Sequence, residues 1–351
     1  MANLPIVKKN TELQKINKNL SIVNRLLQTV ELQNSFDRLA WWNDLSQDWK
    51  NIFLSELNIS EIELNQKPDF YLEKLFNITE LWLMANQIQD ISVLGDLTQL
   101  KKLWFDVNKI QDISALRNLI QLKTLSIGSN HIQDVSALGN LVQLTEIWLW
   151  ANEIQDISAL GNLTQLIYLD LSDNQIQDIS VLGDLTQLTE LSLSWNQIQD
   201  ISVLGNLTQL TKLSLGWNQI QDISVLRNLT QLTELWLWLD HEQTREMLSG
   251  NYLTRLTRHS LSQNQIQDIS VLGNLTQLTK LSLSQNQIQD ISVLGNLTQL
   301  TELWLYNNQI QDFSPLAKLE NLQSLSLFGN PVAKSDIDWL QSKLPNCWIS
   351  Y

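Results

Sequence analysis

Cysteine is almost absent, since the chain has one, Cys347, in 351 residues. A single cysteine excludes an internal disulfide framework and fits a reducing compartment. Basic residues are also few, with 23 Lys and Arg against 37 Asp and Glu, and the formal net charge is -14. Nucleic acids and anionic membranes attract clustered Lys and Arg, so we expect neither as a partner. A basic or neutral partner is easier to accommodate.

Long apolar segments are missing as well. The sequence contains no run of 18 apolar residues, so we expect no membrane-spanning helix. The first nine residues lack the apolar core of a signal peptide. These two observations predict a soluble protein of the cytoplasm.

Side chains that carry chemistry are scarce. The three histidines, His131, His241 and His259, are too far apart in the sequence pattern to bind one metal ion together. The chain has no phosphate-binding glycine loop, no paired cysteine motif and no Ser/His/Asp set. We therefore predict no enzymatic activity, no cofactor and no metal site.

What the sequence does contain is a repeat. Asparagines recur every 22 residues from Asn86 to Asn218, and the series resumes from Asn264 to Asn330. Around each lies one template, Leu-x-x-Leu-x-x-Leu-x-Leu-x-x-Asn-x-Ile-x-Asp-Ile-Ser-x-Leu, whose first residue we number position one. A period of this length predicts a solenoid of stacked coils.

The apolar positions of the template combine two spacings. The seventh and ninth residues alternate, which predicts a half-buried β-strand. The first and fourth, and the seventeenth and twentieth, are three apart, which favours short 3₁₀ or single-turn helices. One such coil cannot bury its own apolar side, so the coils are expected to stack with parallel strands along one wall.

The polar positions of the template also have expected roles. The asparagine at position twelve is expected to point inward and to hydrogen-bond the backbone of neighbouring turns. Aspartate at position sixteen, for example Asp90, precedes Ile-Ser and is typical of an N-cap for the convex turn. Glycine at position twenty-one, for example Gly95 or Gly183, is expected to close that turn in a left-handed conformation.

These units resemble the 22-residue leucine-rich repeats of bacterial internalins and of the eukaryotic phosphatase-1 regulatory subunit. The resemblance covers roughly Leu75 to Asn330, with about ten units in register. It implies an α/β solenoid, a right-handed superhelix with parallel strands on the concave face and short 3₁₀ or helical turns on the convex face. It also implies that the protein binds other proteins.

Both ends of the repeat array are expected to carry helical caps. An amphipathic pattern predicts a helix at 11–33, and a second helix is expected at 46–57, beginning at Ser46. A coiled-coil dimer seam in 11–33 is the alternative, but with less than three heptads a monomer is expected. A terminal helix is predicted from Ser335. The predicted domains are a cap at 1–74, about 12 repeat units at 75–330 and a cap at 331–351.

The candidate binding residues lie on the concave side. Positions six, eight and ten alternate with the buried leucines and point away from the core, and positions eleven and thirteen lie at the strand exit. Large exposed aromatic arrays normally mark binding surfaces, and the alternative is that these rings only stabilise the sheet. The predicted partner-binding residues are Trp82, Trp104, Trp148, Trp150, Tyr168, Trp195, Trp217, Trp236, Trp238, Trp304 and Tyr306.

Three pairs of aromatic residues, each on one strand, are expected to form separate ridges. Trp148 with Trp150, Trp236 with Trp238 and Trp304 with Tyr306 are predicted to stand about 19 and 14 Å apart across valleys of serine and glycine. Charges at position six are expected to pair between neighbouring strands, as Glu190 with Lys212, Glu234 with Arg258 and Lys280 with Glu302.

One unit, 229–252, departs from the template. Asp240 replaces the asparagine, and a carboxylate cannot donate the hydrogen bonds of an amide. In the next coil His259 stands at an inward leucine position. We expect the loop 240–252 to bulge outward. Either the repeat has decayed locally, or the segment is a hinge or a specificity loop beside Trp236 and Trp238.

Three functions fit these observations. The first is a scaffold whose concave tryptophans bind a partner protein or peptide. The second is glycan recognition by the same rings, with Asp170 and Asp173 near Trp148 and Trp150 as acceptors of sugar hydroxyls. The third is a structural repeat without a dedicated ligand.

Overall fold

The computed structural model describes residues 37–238 and 264–351. The chain divides into two compact units, Met1–Leu75 and Phe76–Tyr351. The predicted helix at 11–33 and the predicted loop at 240–252 lie outside the described residues. Among the described helices, every one is too short or too polar to cross a lipid bilayer.

The first unit is helical. The side chain of Ser46 accepts a hydrogen bond from the backbone N–H of Trp49 and caps the second helix, which confirms the helix predicted at this serine. Trp42, Phe53 and Leu64 are buried and form much of the core of this unit. The helices are α1 (Arg38–Asp44), α2 (Gln47–Leu57), α3 (Glu61–Gln66) and α4 (Pro68–Phe76).

The second unit is built on one parallel sheet whose strands follow the order of the chain. Each strand is only three residues long, and its central residue is an inward Leu or Ile, as the alternation of positions seven and nine predicts. The twelve strands are β1 (Glu80–Trp82), β2 (Lys102–Trp104), β3 (Thr124–Ser126), β4 (Glu146–Trp148), β5 (Tyr168–Asp170), β6 (Glu190–Ser192), β7 (Lys212–Ser214), β8 (Glu234–Trp236), β9 (Lys280–Ser282), β10 (Glu302–Trp304), β11 (Ser324–Ser326) and β12 (Trp348–Ser350).

A short 3₁₀ helix follows each of the strands β1 to β10 on the opposite wall, as predicted. The aspartate bonds the first residue of this turn, but the N-cap residue is the isoleucine that follows it, Ile201 in the coil of Asp200. Asp200 Oδ1 accepts the backbone N–H of Ser202 at 2.8 Å, and equivalent bonds recur along the array. The described 3₁₀ helices are Ser92–Asp96, Ser114–Asn118, Ser136–Leu138, Ser158–Asn162, Ser180–Asp184, Ser202–Asn206, Ser224–Asn228, Ser270–Asn274, Ser292–Asn296 and Ser314–Lys318.

The predicted role of the convex glycines is wrong. Among the described glycines only Gly329 has a positive φ, so Gly95 and Gly183 do not adopt the left-handed conformation. Their small size is what matters, because a Cβ on Gly183 would lie 2.5 Å from Cγ2 of Val203 in the next coil. Glycine therefore allows neighbouring convex turns to approach closely.

The left-handed residue lies instead at position eleven, immediately before the repeated asparagine. This conformation turns the chain so that the asparagine side chain enters the core. The residues at this position with positive φ are Ala85, Val107, Ser129, Ala151, Asp173, Trp195, Trp217, Gln285, Asn307 and Gly329.

The asparagine ladder is confirmed. Asn130 is fully buried, and its Nδ2 donates to the carbonyls of Phe105 and Ile127, each at 3.1 Å. Its Oδ1 accepts the backbone N–H of Ile110 at 3.0 Å. One amide thus links two coils and satisfies backbone groups that no sheet or helix pairs.

The strand and the ladder residue that follow β8 differ from the template. Glu234 of β8 pairs in register with Lys280 of β9, where the sequence predicts Arg258, a residue that lies outside the described part of the chain. Asn264 Nδ2 donates to the carbonyl of Leu237 at 3.0 Å. Asn264 is therefore the described ladder residue that follows β8, and Asp240 lies outside the described part of the chain.

The C-terminal end carries the predicted helix and one further strand. Helix α5 (Lys334–Lys343) begins one residue before the predicted Ser335, and its Ile337 and Leu340 are buried. The chain then returns to the sheet as β12, which pairs with β11. The sequence analysis did not predict this strand.

Candidate binding face

The concave face comprises the side chains at positions six, eight and ten of each coil, with position eleven at its rim. All eleven predicted residues lie here. The leucines at positions seven and nine between them are buried in the core, as the alternation requires. The structure brings the aromatic residues into three groups.

The first group is a pair at the N-terminal end of the sheet. The rings of Trp82 and Trp104, opposite each other on β1 and β2, stack with centroids 3.5 Å apart and an interplanar angle of 8°. Trp82 is 55% exposed and is the most exposed of the predicted residues. This pair presents an apolar surface directly to solvent.

The second group lies on β4 and β5. The rings of Trp148 and Tyr168 are 4.6 Å apart and inclined by 32°. Trp150 packs directly over Gly128 of the neighbouring coil. A Cβ on that glycine would lie 2.2 Å from the indole ring. The glycine provides the space into which the tryptophan folds, which buries the ring of Trp150.

The third group is the largest and extends from β6 to β10. Trp195 stacks on Trp217 at 4.3 Å, and Trp217 is 6.1 Å from Trp238. Trp238 meets the ring of Tyr306 edge-on at 4.7 Å. Trp236 lies 5.1 Å from Trp304. These contacts join six aromatic side chains from four coils.

The predicted valley between the last two ridges is therefore not open. Trp236, Ser282 and Trp304 stand opposite one another on three adjacent strands, which places the outer backbones about 9.6 Å apart. The two rings nevertheless lie 5.1 Å apart, so they lean together across the serine, which is fully buried. Neighbouring Ser284 is buried in the same way.

The predicted exposure of the rings is correct only in part. Trp104, Trp148, Tyr168, Trp217, Trp304 and Tyr306 are half-buried. Trp150, Trp195, Trp236 and Trp238 are buried, with 5 to 8% of their surface exposed. The reason is mutual packing on the outer side of the sheet. A large ring next to a glycine or serine of an adjacent coil packs over that small residue, which buries the ring.

The third group contains polar atoms without hydrogen-bond partners. Among the described residues, five buried side-chain atoms lack a partner: Nε1 of Trp195, Trp236 and Trp238, and Oγ of Ser282 and Ser284. A buried donor without an acceptor costs about 1–3 kcal/mol. The cluster is therefore poorly optimised for stability.

The rim adds backbone strain. Trp195 and Trp217 occupy the left-handed position with φ of 61° and 58°. A bulky residue in this conformation costs about 1–2 kcal/mol relative to glycine. Stacking of the two rings, 13° from parallel, offsets part of that cost.

Two aspartates are buried in the concave face. Asp106 accepts hydrogen bonds from the hydroxyl of Ser126 and the backbone N–H of Gly128, all at 2.7 Å. Burial still raises the pKa of its carboxyl above the usual value. These hydrogen bonds tie β2 to β3 and give Asp106 a structural role.

Asp170 has fewer partners. It is 7% exposed and lies between Trp148 on β4 and Ser192 on β6. The backbone N–H of Ser172 donates to its Oδ1 at 2.9 Å. Burial, helped by the negative charge of Asp106, raises the pKa of Asp170 to about 6 in spite of that hydrogen bond. No Lys, Arg or His within residues 37–238 and 264–351 forms an ion pair with Asp106 or Asp170.

Two of the three predicted strand-to-strand pairs at position six are confirmed, and the third includes Arg258, which lies outside the described residues. Lys212 bonds Glu190 at 3.3 Å, and Lys280 bonds Glu302 at 3.1 Å. A third lysine, Lys102, pairs with Glu80. In the described coils, three lysines thus stand against seven acidic residues at positions six, eight and ten: Glu80, Asp106, Glu146, Asp170, Glu190, Glu234 and Glu302.

Asp106 and the burial of Asp170 were not predicted from the sequence. The available signal was positional: the other described coils carry serine, glycine, methionine or an aromatic residue at positions eight and ten, and only these two carry a carboxylate. An acid at an otherwise uncharged position of a repeat is a candidate functional residue.

Comparison with known proteins agrees with this architecture. The family model described as a leucine-rich repeat region matches residues 106–334, and a second model for two copies of the leucine-rich repeat matches residues 77–118. No relative was found among curated protein sequences.

Solved structures provide two bacterial relatives. The chain is similar to an internalin, InlF, from Listeria monocytogenes, with 34% identity and a TM-score of 0.69 over 87% of this chain and 88% of that one. Internalin C2 of the same organism is 27% identical, with a TM-score of 0.46 over 80% and 92% of the two chains. The asparagine ladder, the parallel sheet, the family model over residues 106–334 and the likeness to InlF together show that the chain belongs to the leucine-rich-repeat family, as an internalin-like member.

Proposed function

We propose that the protein is a non-enzymatic scaffold that, as a monomer, binds a partner protein or peptide on its concave face. The observation that carries this proposal is the exposed stacked pair of Trp82 and Trp104, continued along the sheet by the half-buried Trp148 and Trp217. Leucine-rich-repeat proteins generally act as interaction scaffolds, and solenoids present extended concave surfaces for this purpose.

The composition of the face supports a protein ligand. Aromatic side chains are enriched at the energetic centres of protein interfaces, because they bury a large area and lose few rotatable bonds. The acidic excess along the same face favours a partner with basic or neutral segments.

Selection from a random peptide library displayed on phage tests this proposal. The bait is the full chain, compared with a variant that carries Trp82→Ser and Trp148→Ser. A second variant, Ile120→Ser with Val142→Ser, removes exposed apolar side chains from position two, outside the concave face, and serves as the matched control. All three proteins are first compared by circular dichroism.

We expect the wild type and the control to enrich the same peptides and the tryptophan variant to lose them. Enrichment by all three baits, or by none, contradicts the proposal. A glycan array probed with the same proteins separates the other ligand class: tryptophan-dependent binding of sugars without binding of peptides would assign the face to glycans instead.

We further propose that this binding takes place in a reducing compartment such as the cytoplasm. The support is the single cysteine, Cys347, which is buried and unpaired and whose thiol pKa burial raises to about 11. Fractionation of the producing cells tests it, and recovery of the protein from the medium contradicts it.

A further inference from the structure

The recess beside Asp170 is the most specific feature of the concave face. Trp148 stands opposite Asp170 on one neighbouring strand and is half-buried, with part of its ring facing solvent. Ser192 stands opposite on the other strand and is also half-buried. Asp170 lies between this large ring and this small hydroxyl with 7% of its surface exposed, and we call this position the recess.

The polar groups around the recess bond one another, and the carboxylate is bonded by Ser172 alone. The hydroxyls of Ser172 and Ser192 lie 2.5 Å apart and bond each other, as do those of Ser194 and Ser214 at 2.8 Å. The backbone N–H and the hydroxyl of Ser172 both bond Asp170. A ligand therefore meets paired serines that need no further partner, and a negative charge that has no cation.

An uncompensated buried carboxylate is costly, because desolvation disfavours its charged form. The negative charge of Asp106 increases that cost, and Lys212 on β7 is paired with Glu190. The natural complement is a cation supplied from outside. The face of an indole attracts cations as well, because the ring quadrupole is negative above its plane.

We propose that the recess formed by Asp170 and Trp148 binds an arginine side chain of the partner. A planar guanidinium can stack on the half-exposed ring of Trp148 while it donates two hydrogen bonds to the carboxylate of Asp170. Lysine fits less well, since its compact ammonium cannot stack and is more strongly hydrated. This inference rests on the proposed function, and it specifies one side chain of the partner.

Asp106 provides an internal comparison. It is a second buried aspartate on the same face, but the hydroxyl of Ser126 is shared between its two oxygens and the backbone N–H of Gly128 donates to its Oδ1, so two residues of the next coil bond it. Asp170 is bonded by the hydroxyl and the backbone N–H of one residue, Ser172. The difference marks Asp170 as the carboxylate with capacity for a ligand.

The test uses the same peptide library with two further baits, Asp170→Asn and Glu146→Gln. Both remove one negative charge, but only the first removes the carboxylate in the recess. We expect peptides selected by the wild type and by Glu146→Gln to share an arginine at one position, and the preference to disappear with Asp170→Asn. Replacing that arginine by citrulline, a neutral side chain of the same shape, should weaken binding to the wild type at least tenfold and binding to Asp170→Asn less than twofold.

The outcomes separate this inference from the proposed function. Selection of peptides without a basic residue, or an arginine preference that survives Asp170→Asn, overturns the arginine site and leaves concave binding intact. A preference for lysine overturns the assignment to a guanidinium. An equal loss in Glu146→Gln also overturns the inference, because the effect would then reflect only the overall charge of the face.

Discussion

The two walls of the solenoid use the same amino acid in opposite ways. On the convex wall, Asp200 and Asp222 are exposed, and hydrogen bonds from the serine two residues later lower their pKa. On the concave wall, Asp170 is buried, and its pKa is raised to about 6. The convex aspartate stabilises the turn that it caps, and the concave one destabilises the folded chain. The repeat accounts for the convex aspartates, because each one bonds its own turn. For the buried Asp170, the proposed ligand provides an explanation.

The hydrogen bonding of serine also differs between the two walls. The convex serines begin 3₁₀ helices, and their N–H groups are capped. In the concave third group, Ser282 and Ser284 have unpartnered hydroxyls, and the indole of Trp236 has an unpartnered N–H. Among the described residues, the buried polar side-chain atoms without partners thus lie on the variable face, as is common where structure serves recognition.

The largest expected effect belongs to the regular part. Replacing Asn130 by Ala removes a buried amide that bonds the backbone of Phe105, Ile127 and Ile110, so the free energy of unfolding should fall by about 3–5 kcal/mol. Urea unfolding measures it. Gln175→Ala, in an exposed glutamine pair with Gln155, is the control and should change stability by about 0.5 kcal/mol or less.

The second largest change is an increase in the free energy of unfolding. Asp170→Asn should raise the free energy of unfolding by up to about 3 kcal/mol at pH 7.5, because it removes a charge whose pKa rises from 3.8 to about 6 on folding. The raised pKa means that wild-type Asp170 favours folding below pH 3.8 and loses this contribution as pH rises through 6. The difference between the two proteins should therefore vanish at low pH. A variant less stable than the wild type at pH 7.5 would contradict the described surroundings of Asp170.

A pair of serine variants sharpens the comparison within one face. Ser284→Ala removes an unpartnered buried hydroxyl and should stabilise the protein by about 1 kcal/mol. Ser194→Ala breaks the hydroxyl pair with Ser214 and should destabilise it by about 1 kcal/mol. Thermal unfolding of both variants checks the signs, and equal shifts in the same direction would show that the two serines do not differ.

The smallest effect concerns a convex cap. Asp222→Ala should lower stability by about 0.5 kcal/mol after solvent screening, because the backbone N–H of Ser224 loses its acceptor. Since the folded state lowers the pKa of Asp222, the contribution is present at neutral pH and is lost as pH falls through the folded value. The pH dependence should thus run opposite to that of Asp170, and unfolding at pH 3 and pH 7 measures it.

Much of the fold could be predicted from the sequence because it repeats. The inward leucines, the ladder asparagines and the turn aspartates recur at fixed spacing. The same structural role can therefore be assigned to each position in every coil. The segment before Asn264 could not be assigned, since Leu253, Leu256 and Leu261 repeat the template spacing although the sheet passes directly from β8 to β9. Periodicity alone could not decide which strand follows β8 in the sheet.

The candidate face could be located but not described from the sequence. The alternation of positions placed the aromatic residues on the outer side. Whether a ring is exposed or buried depends on the residues one and two strands away. Trp150 over Gly128 and Trp236 beside Ser282 show this. The burial of Asp170 depends on Trp148 in the same way.

The indole N–H signals of the tryptophans test the central claim most directly. Ten tryptophans lie on the concave face, the nine predicted ones and Trp348, which stands in register with Ser324 at position six, and Trp41, Trp42, Trp49 and Trp339 lie elsewhere. Titration of a selected peptide into the ¹⁵N-labelled protein should shift the signals of Trp148 and its concave neighbours and leave those four unchanged. Shifts confined to those four, with the concave signals unmoved, would contradict recognition by this face.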